Sequence, residues 1–261
     1  MGQMAFVGIG VSSGEKPSRT NVAPIAAHLD LNSSLKRKAA SIQASQPFSD
    51  IALADRMAIV ANAQEKQYGR RHTLFFEGDP VRQVILLLSG CLKVSQLGTN
   101  GQEVILRLNG PGDVLGGAGR CAKCEHCSTA RTMQASSALV WESNDFDAML
   151  ERYPVLRRNI AHLLERQLNE LEVRFREVST EKVGARLSSQ LTRLVAQVGR
   201  PMDGGVEVSL SRRELAQLTG TTLFTVSRLL SQWEADGILA ARREAVLVLN
   251  AAALKVLSRE E

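Results

Sequence analysis

The sequence of 261 residues has few of the features of membrane proteins, of secreted proteins or of small domains stabilised by disulfides. No run reaches the roughly eighteen apolar residues that a membrane helix needs. The apolar run 5–11 has no basic segment before it, so we expect no secretory signal, and Phe6 stands where a myristoylation signal has Ser or Thr. The four cysteines are few, and the length leaves room for a core without disulfides. We therefore expect a cytoplasmic protein without a membrane partner.

Signatures of enzymes are also missing. The sequence contains neither a P-loop nor the glycine pattern of dinucleotide-binding folds, so we expect no enzymatic activity. The net charge of +5 permits a polyanionic partner but does not require one.

The N-terminal half of the chain changes from an aperiodic segment to short strands. Residues 1–46 are rich in small and polar residues, and we interpret them as a mobile tail. The domain predicted over residues 47–144 opens with a short helix at 48–60, for which Ser49 and Asp50 are N-cap candidates. Brief β-rich runs separated by Gly, Asn, Asp and Pro turns follow. Strands at this spacing predict an antiparallel sandwich or barrel.

A long helix is predicted next, over residues 145–180. Five apolar residues recur in it at spacings of 4, 3, 4 and 3, namely Leu164, Leu168, Leu171, Phe175 and Val178. This period indicates a heptad seam rather than the broad apolar face of a helix packed within one domain. The seam predicts a homodimer through paired helices, and a helix that packs on its own domain is the alternative.

The C-terminal part, residues 181–261, has the pattern of a winged helix-turn-helix domain. A helix over 183–198 precedes two short helices in SRRELAQLTG and TTLFTVSRLLSQWEADG, which meet at Gly220. Ser211 and Glu214 form a capping-box pair at the start of the first. The alternating run ILAARREAVLVLN then predicts a β-ribbon wing. Two helices joined across a tight turn fit a DNA major groove.

Together these motifs resemble the family of the catabolite (cyclic AMP) receptor and the fumarate-nitrate reduction regulator. The resemblance spans about residues 48–258 and rests on FFEGD, LLLSGCLKV, LNGPGDVLGG and ELAQLTGTTLFTVSRLLSQWEADGIL in this order. It implies an α+β fold with an N-terminal β-roll sensor, which is a jelly roll like that of cyclic-nucleotide-binding domains, then a dimerisation helix and a winged helix-turn-helix. It also implies a homodimeric transcription activator that binds a pseudo-palindromic operator in double-stranded DNA and contacts RNA polymerase.

Two motifs depart from the family members that bind cyclic nucleotides. In those members a Gly-Glu-Leu run supplies a carboxylate to the ribose, and an Arg-Ser or Arg-Thr pair binds the cyclic phosphate. The aligned residues in this chain are Gly116, Gly117 and Ala118, followed by Ser128 and Thr129. A phosphate without its charged donor loses a hydrogen bond worth on the order of a few kcal/mol. We therefore predict that cyclic AMP is not the effector.

Three of the four cysteines lie within seven residues of this loop: Cys121, Cys124 and Cys127. The C-x2-C-x2-C spacing is typical of iron-sulfur ligation, because a short turn can direct three thiolates to one cluster. We predict a cluster of the 4Fe-4S type with Cys91 as the fourth ligand, which would sense redox state, oxygen or nitric oxide. If the Cys91 thiol points away, Asp113, His126 or a small thiol completes the site. Structural zinc and a thiol-disulfide switch are the alternatives for this loop. For the whole protein, an electron carrier that uses a cluster is one rival class, and a winged helix that binds protein instead of DNA is another.

The recognition helix is predicted to begin near Thr222. Six residues form its predicted DNA-facing surface: Thr221, Thr222, Leu223, Phe224, Ser227 and Arg228. Arg228 matches the family arginine that contacts a guanine or a phosphate, whereas Phe224 stands where the family usually has a glutamate. An aromatic ring packs on a thymine methyl, so we expect an unusual half-site; inward packing of Phe224 is the alternative. Four arginines are candidates for phosphate contact, with solvated surface as the alternative: Arg212, Arg213, Arg242 and Arg243.

Overall fold

The computed structural model describes residues 23–117 and 125–258, and all of the following helices and strands lie within those ranges. The helices are α1 (Ala23–Ser41), α2 (Leu53–Ala61), α3 (Ser143–Arg152), α4 (Pro154–Thr180), α5 (Val183–Val198), α6 (Arg212–Thr219), α7 (Leu223–Ala235) and α8 (Ala251–Leu257). The strands are β1 (Gln64–Tyr68), β2 (Thr73–Phe75), β3 (Gln83–Ser89), β4 (Leu92–Leu97), β5 (Glu103–Asn109), β6 (Val114–Gly116), β7 (Thr129–Thr132), β8 (Ser136–Glu142), β9 (Arg200–Met202), β10 (Gly205–Val208), β11 (Leu239–Ala241) and β12 (Val246–Val248). None of these helices is long and apolar enough to cross a membrane.

Strands β1 to β8 form the predicted sandwich. Two antiparallel four-stranded sheets have the orders β1-β8-β3-β6 and β2-β7-β4-β5. Alternation along β8 explains its two buried faces, because successive side chains of a strand point to opposite sides. Ala138 and Val140 pack between the sheets, whereas Leu139 and Trp141 pack against the surrounding helices. The jelly-roll prediction is confirmed.

The N-terminal segment differs from the predicted mobile tail. Within it α1 forms a helix. Ala39 of this helix and Ile42, just after it, are fully buried in the cluster where α2, α3 and α4 pack on the β-roll. The helix makes its buried contacts near its C-terminal end, so its apolar pattern is too short to be recognised in the sequence. The tail prediction is therefore wrong for residues 23–46, and residues 1–22 lie outside the described ranges.

The helix predicted over residues 48–60 begins later than expected. Residues 46–48 form a 3-10 turn in which Phe48 is fully buried, and Asp50 has φ 59°, a left-handed conformation that no helix continues. The helix α2 then starts after Ala52, which provides no side-chain cap. Ser49 is not an N-cap, since its hydroxyl donates to the carbonyl oxygen of Gln46 at 2.9 Å.

The single helix predicted over residues 145–180 is two helices in the structure. Pro154 lacks a backbone N–H and fits the first position of a helix, so α3 ends at Arg152 and α4 begins anew. The first turns of α4 are anchored on the β-roll. There the side-chain amide of Asn159 donates to the carbonyl oxygens of Pro47 at 3.2 Å and Ser49 at 2.8 Å.

The C-terminal domain consists of α5 to α8 and a sheet of order β11-β12-β10-β9. The helix predicted over residues 183–198 is confirmed as α5. The capping box between Ser211 and Glu214 is also confirmed, and Gly220 ends α6 with φ 64° in the left-handed region. The helix α8 follows the β-ribbon, and the sequence pattern does not predict it.

The two domains share one buried cluster, which the sequence does not predict. Cys91, Ile105 and Leu108 of the β-roll pack into the core of the C-terminal domain. Glu103 of β5 accepts hydrogen bonds from Lys93 at 2.9 Å and from Gln217 of α6 at 3.1 Å. Burial acts to raise the pKa of Glu103, but these bonds outweigh it and lower the pKa, so the carboxylate stays charged across the domain contact.

Candidate DNA-binding surface and cysteine loop

The recognition helix α7 has separate buried and exposed faces. Thr222 is its N-cap and accepts from the backbone N–H of Thr225 at 3.2 Å, which agrees with the predicted start. Val226, Leu230 and Trp233 are buried in the domain core. The N-terminal turns of the opposite face are accessible, as the recognition helix of a helix-turn-helix requires.

The predicted DNA-facing residues lie on this accessible face. Phe224 is 78% exposed, which contradicts the alternative that its ring packs inward. Thr222, Leu223 and Arg228 are also exposed, whereas Thr221 and Ser227 are half-buried. An aromatic side chain that remains in water at the start of a recognition helix favours contact with a partner.

The four arginines proposed for phosphate contact are not equivalent. Arg213 and Arg243 are exposed, and Arg212 is half-buried at the start of α6. The guanidinium of Arg242 is exposed but already pairs with the Glu207 carboxylate at 2.7 Å. A DNA phosphate would compete with that carboxylate for Arg242.

The cysteine loop is attached at both ends to the start of β3 and the segment before it. On one side the backbone N–H of Gly117 donates to the carbonyl oxygen of Gln83 at 3.2 Å. On the other, the N–H of His126 donates to the carbonyl oxygen of Asp79 at 2.8 Å. Cys127 is exposed at the C-terminal end of the loop, and its carbonyl oxygen accepts from the Gln96 side chain at 2.6 Å. Two of the predicted ligands lie outside the described residues: Cys121 and Cys124.

The prediction of Cys91 as the fourth ligand is wrong. Leu92 pairs with Thr132 and Ser95 with Thr129 in the ladder between β4 and β7, so Cys91 and Cys127 lie at opposite ends of it. Along the strand direction Cys91 and Cys127 are about six residues apart, which corresponds to about 20 Å at roughly 3.3 Å per residue. The ligands of one cluster must lie within a few Å of each other. Cys91 instead faces the C-terminal domain, and burial raises the pKa of its thiol to about 12.

The other candidates for a fourth ligand differ in their distance from the loop. Asp113 lies before β6, at the end of that strand away from the loop, and its carboxylate accepts from the Gly110 N–H at 2.9 Å. His126 is beside the loop but buried, with its ring stacked on Phe75 at 3.6 Å, while its neighbour Cys127 is exposed. Within residues 23–117 and 125–258 no three His, Cys, Asp or Glu side chains cluster as a metal site.

The positions that hold a cyclic nucleotide in relatives are filled differently in this chain. A side chain at Gly117 would begin 2.5 Å from the Val81 side chain and 2.9 Å from the Ser143 hydroxyl oxygen, so the ribose-binding glutamate has no space. The Thr129 hydroxyl accepts from the backbone N–H of Glu77 at 3.1 Å. The lack of space at Gly117 favours an effector other than a cyclic nucleotide, whereas the Thr129 hydroxyl can still donate to a phosphate.

The seam predicted for dimerisation is exposed in the single chain. Its five side chains are 44% to 74% exposed: Leu164, Leu168, Leu171, Phe175 and Val178. Earlier in the same helix Leu156, Ile160 and Leu163 are buried on the β-roll. A row of large apolar side chains in water along one helix face is typical of a surface that another helix covers.

Comparison with known proteins agrees with this architecture. Residues 65–153 match the cyclic nucleotide-binding domain, and residues 185–257 match the Crp-like helix-turn-helix domain. The cyclic AMP receptor protein of Thermus thermophilus is 29% identical over 192 residues, which are 74% of this chain and 87% of that protein. The global nitrogen regulator of Synechococcus elongatus is 28% identical over 198 residues, 73% of this chain and 88% of that protein.

A solved structure shares the fold. The structure of FixK2 from Bradyrhizobium japonicum superposes with a TM-score of 0.67 at 22% identity, over 76% of this chain and 98% of that one. A β-roll, a long helix and a winged helix-turn-helix in this order define a DNA-binding transcription regulator rather than an enzyme. The chain belongs to the CRP/FNR family of such regulators.

Proposed function

We propose that the protein acts in the cytoplasm as a homodimer that binds a pseudo-palindromic operator, with RNA polymerase as its partner in activation. The observation that carries this proposal is the exposed row of apolar side chains on α4, together with the accessible N-terminal turns of α7. A two-fold dimer presents two recognition helices to two half-sites, so the operator repeats with the symmetry of the protein.

Binding of duplex DNA is tested through its salt dependence. A regulator that contacts phosphates with several arginines releases counterions, so the logarithm of affinity falls linearly with the logarithm of salt concentration, by about 0.9 per phosphate contact. Titration of the full-length protein into a duplex selected from a random library should show a steep slope. A flat response would favour a winged helix that binds protein instead.

Arg228→Ala should weaken binding to the selected duplex by about 5- to 150-fold, because one bidentate arginine contact contributes about 1–3 kcal/mol of discrimination. Fluorescence anisotropy at fixed salt measures the change, and Arg158→Ala, an exposed arginine on α4 outside the seam, is the matched control. Sedimentation should still show a dimer for both variants. Affinity equal to that of the parent would remove Arg228 from the interface.

We further propose that the cysteine loop binds an iron-sulfur cluster through Cys121, Cys124 and Cys127. Their spacing and the exposed side chain of Cys127 at the loop end support this proposal. His126, which lies beside the loop, or a small thiol supplies the fourth ligand, since Cys91 and Asp113 lie away from the loop. When bound, the cluster supplies a centre that reacts with oxidants or nitric oxide.

The loop lies where its order can influence the dimerisation helix. Gly117, at its start, packs beside Ser143, the first residue of α3, and the Ser143 backbone N–H donates to the carbonyl oxygen of Arg82 at 2.8 Å. The helix α3 leads directly into α4 across Pro154. A change in the loop therefore acts on the helix pair that positions the two DNA-binding domains.

A structural zinc remains the second candidate for the loop, because zinc sites also use paired cysteines. Absorption spectroscopy with iron, sulfide and zinc analysis separates the two for protein purified without oxygen. A brown protein that contains iron and sulfide and bleaches in air supports the cluster. A colourless protein with about one zinc per chain would overturn it.

Cys91→Ala should leave the iron and sulfide content of anaerobically purified protein unchanged, because the Cys91 thiol lies about 20 Å from the loop end along β4. The same variant should unfold at a lower temperature, since Cys91 packs in the cluster shared by the two domains. A loss of iron without a change in unfolding temperature would reinstate Cys91 as a ligand.

A further inference from the structure

A cavity of about 420 Å³ lies where the β-roll, the dimerisation helix and the DNA-binding domain meet. Its walls come from β5, α4 and α5. Four arginines line it: Arg107, Arg166, Arg174 and Arg193. Among the described residues of the lining one is acidic, Glu170. The volume is that of a small-molecule site, and its walls carry an excess of positive charge.

Arg193 and Arg166 have acidic partners in or next to the cavity. Arg193 forms a two-pronged ion pair with Glu177, with nitrogen-oxygen distances of 2.6 and 2.7 Å. The Arg166 guanidinium lies 3.7 Å from Asp113 and 3.9 Å from Glu170, and both distances exceed that of a hydrogen bond. The compensation of Arg166 is therefore weak, and its donors remain available to a ligand.

Arg174 has neutral acceptors only. Its guanidinium donates to the backbone carbonyl oxygens of Ile105, Leu106 and Leu218, and no carboxylate of the described residues lies within ion-pair distance of it. Burial, and then repulsion from Arg193, lower the pKa of Arg174. An anion in the cavity would relieve that repulsion, because opposite charge favours the charged guanidinium.

The cavity stays open when the chain dimerises through the seam. At about 100° per residue, the seam from Leu164 to Val178 covers one side of α4, while Arg166, Asn169 and Val173 face the opposite side. The cavity also excludes every described residue of the cysteine loop and of the aligned nucleotide-binding positions. It is thus separate from both the dimer interface and the sensor loop.

We propose that this cavity binds a small phosphate-bearing anion. Guanidinium groups from three elements surround the space, which suits a tetrahedral phosphate with several oxygens, whereas a single arginine fork satisfies a planar carboxylate. Leu108, Val173 and Ala196 provide an apolar wall for the remainder of the ligand. Because the ligand would contact all three parts of the chain, its binding is coupled to the orientation of the DNA-binding domain.

Isothermal titration calorimetry of the full-length dimer without DNA tests the site, with pyrophosphate and ATP as phosphate probes and citrate as the carboxylate comparison. We expect one pyrophosphate or ATP per chain and weaker binding of citrate. The double variant Arg107→Gln, Arg166→Gln should lose about tenfold or more in affinity, since it removes two charge-assisted contacts. Arg157→Gln, Arg158→Gln, two exposed arginines on α4 outside the cavity, is the matched control.

Phosphate probes also bind DNA-contacting arginines, so Arg213→Gln, Arg228→Ala serves as the second control. Retention of binding in this variant, with loss in the cavity variant, supports the proposal. Loss in this variant with retention in the cavity variant would place the anion on the DNA-binding surface and overturn it. The absence of binding by both phosphate probes, or tighter binding of citrate, would overturn it as well.

Discussion

Leu168→Asp combined with Leu171→Asp should convert the dimer to a monomer. Both leucines are more than half exposed in the single chain and lie in the centre of the seam on α4. Truncation of one buried leucine costs about 2–5 kcal/mol, and a carboxylate in its place adds the cost of burying an unpaired charge. Four such carboxylates would meet in a two-fold dimer. Sedimentation velocity at a concentration where the parent is dimeric measures the change.

The monomer should also bind operator DNA at least about 100-fold more weakly, since one half-site supplies only part of the contacts of two. Arg158→Asp combined with His162→Asp is the matched control, because it introduces two carboxylates at exposed positions of α4 that lie outside both the seam and the cavity. Circular dichroism should show native helix content for both variants. A seam variant that sediments as a dimer would exclude this interface.

Replacement of the three loop cysteines, Cys121→Ser, Cys124→Ser and Cys127→Ser together, should abolish iron binding. A serine hydroxyl is a poor ligand for iron in a cluster, and all three proposed thiolate ligands are removed. The variant should still fold and dimerise, because none of the three cysteines belongs to the seam on α4 or to the buried clusters of the described residues. Metal analysis of anaerobically purified protein checks the loss.

Cys91→Ala is the matched control for the loop variant, since it removes the remaining cysteine of the chain. It should retain iron and sulfide at the level of the parent. A loop variant that keeps its iron would place the metal elsewhere in the chain and refute the proposed site. An unfolded loop variant with a parent that contains zinc would instead indicate a structural metal.

The sequence predicts the domain order because each part has its own periodicity. The apolar run in SSALVWE favours a strand, and the structure places Trp141 and Val140 on opposite, buried sides of β8. Ser211 and Glu214 predict the start of α6 since both partners of a capping box are local. Pro154 is the local signal for the break between α3 and α4, because a proline ring disfavours a helix interior. The prediction of one helix over residues 145–180 does not take this signal into account.

Features that depend on contacts between distant parts of the chain cannot be predicted from the sequence alone. The position of Cys91 depends on the register between β4 and β7, where Leu92 pairs with Thr132, and nothing near Cys91 in the chain encodes that pairing. Arg174 lies in a helix rich in charged residues and resembles a solvated side chain, yet it donates to three carbonyl oxygens of two domains. The recognition helix is thus predictable from the sequence, whereas the position of Cys91 and the contacts between the domains are not.

The central claim is that the state of the cysteine loop changes the affinity of the dimer for DNA. The most direct test measures the dissociation constant of anaerobically purified protein for its selected duplex, before and after exposure to air, at one salt concentration. The account predicts that the affinity of the parent and of Cys91→Ala changes as the protein bleaches, while that of the triple loop variant stays constant. An affinity that is the same before and after exposure in the parent would contradict it.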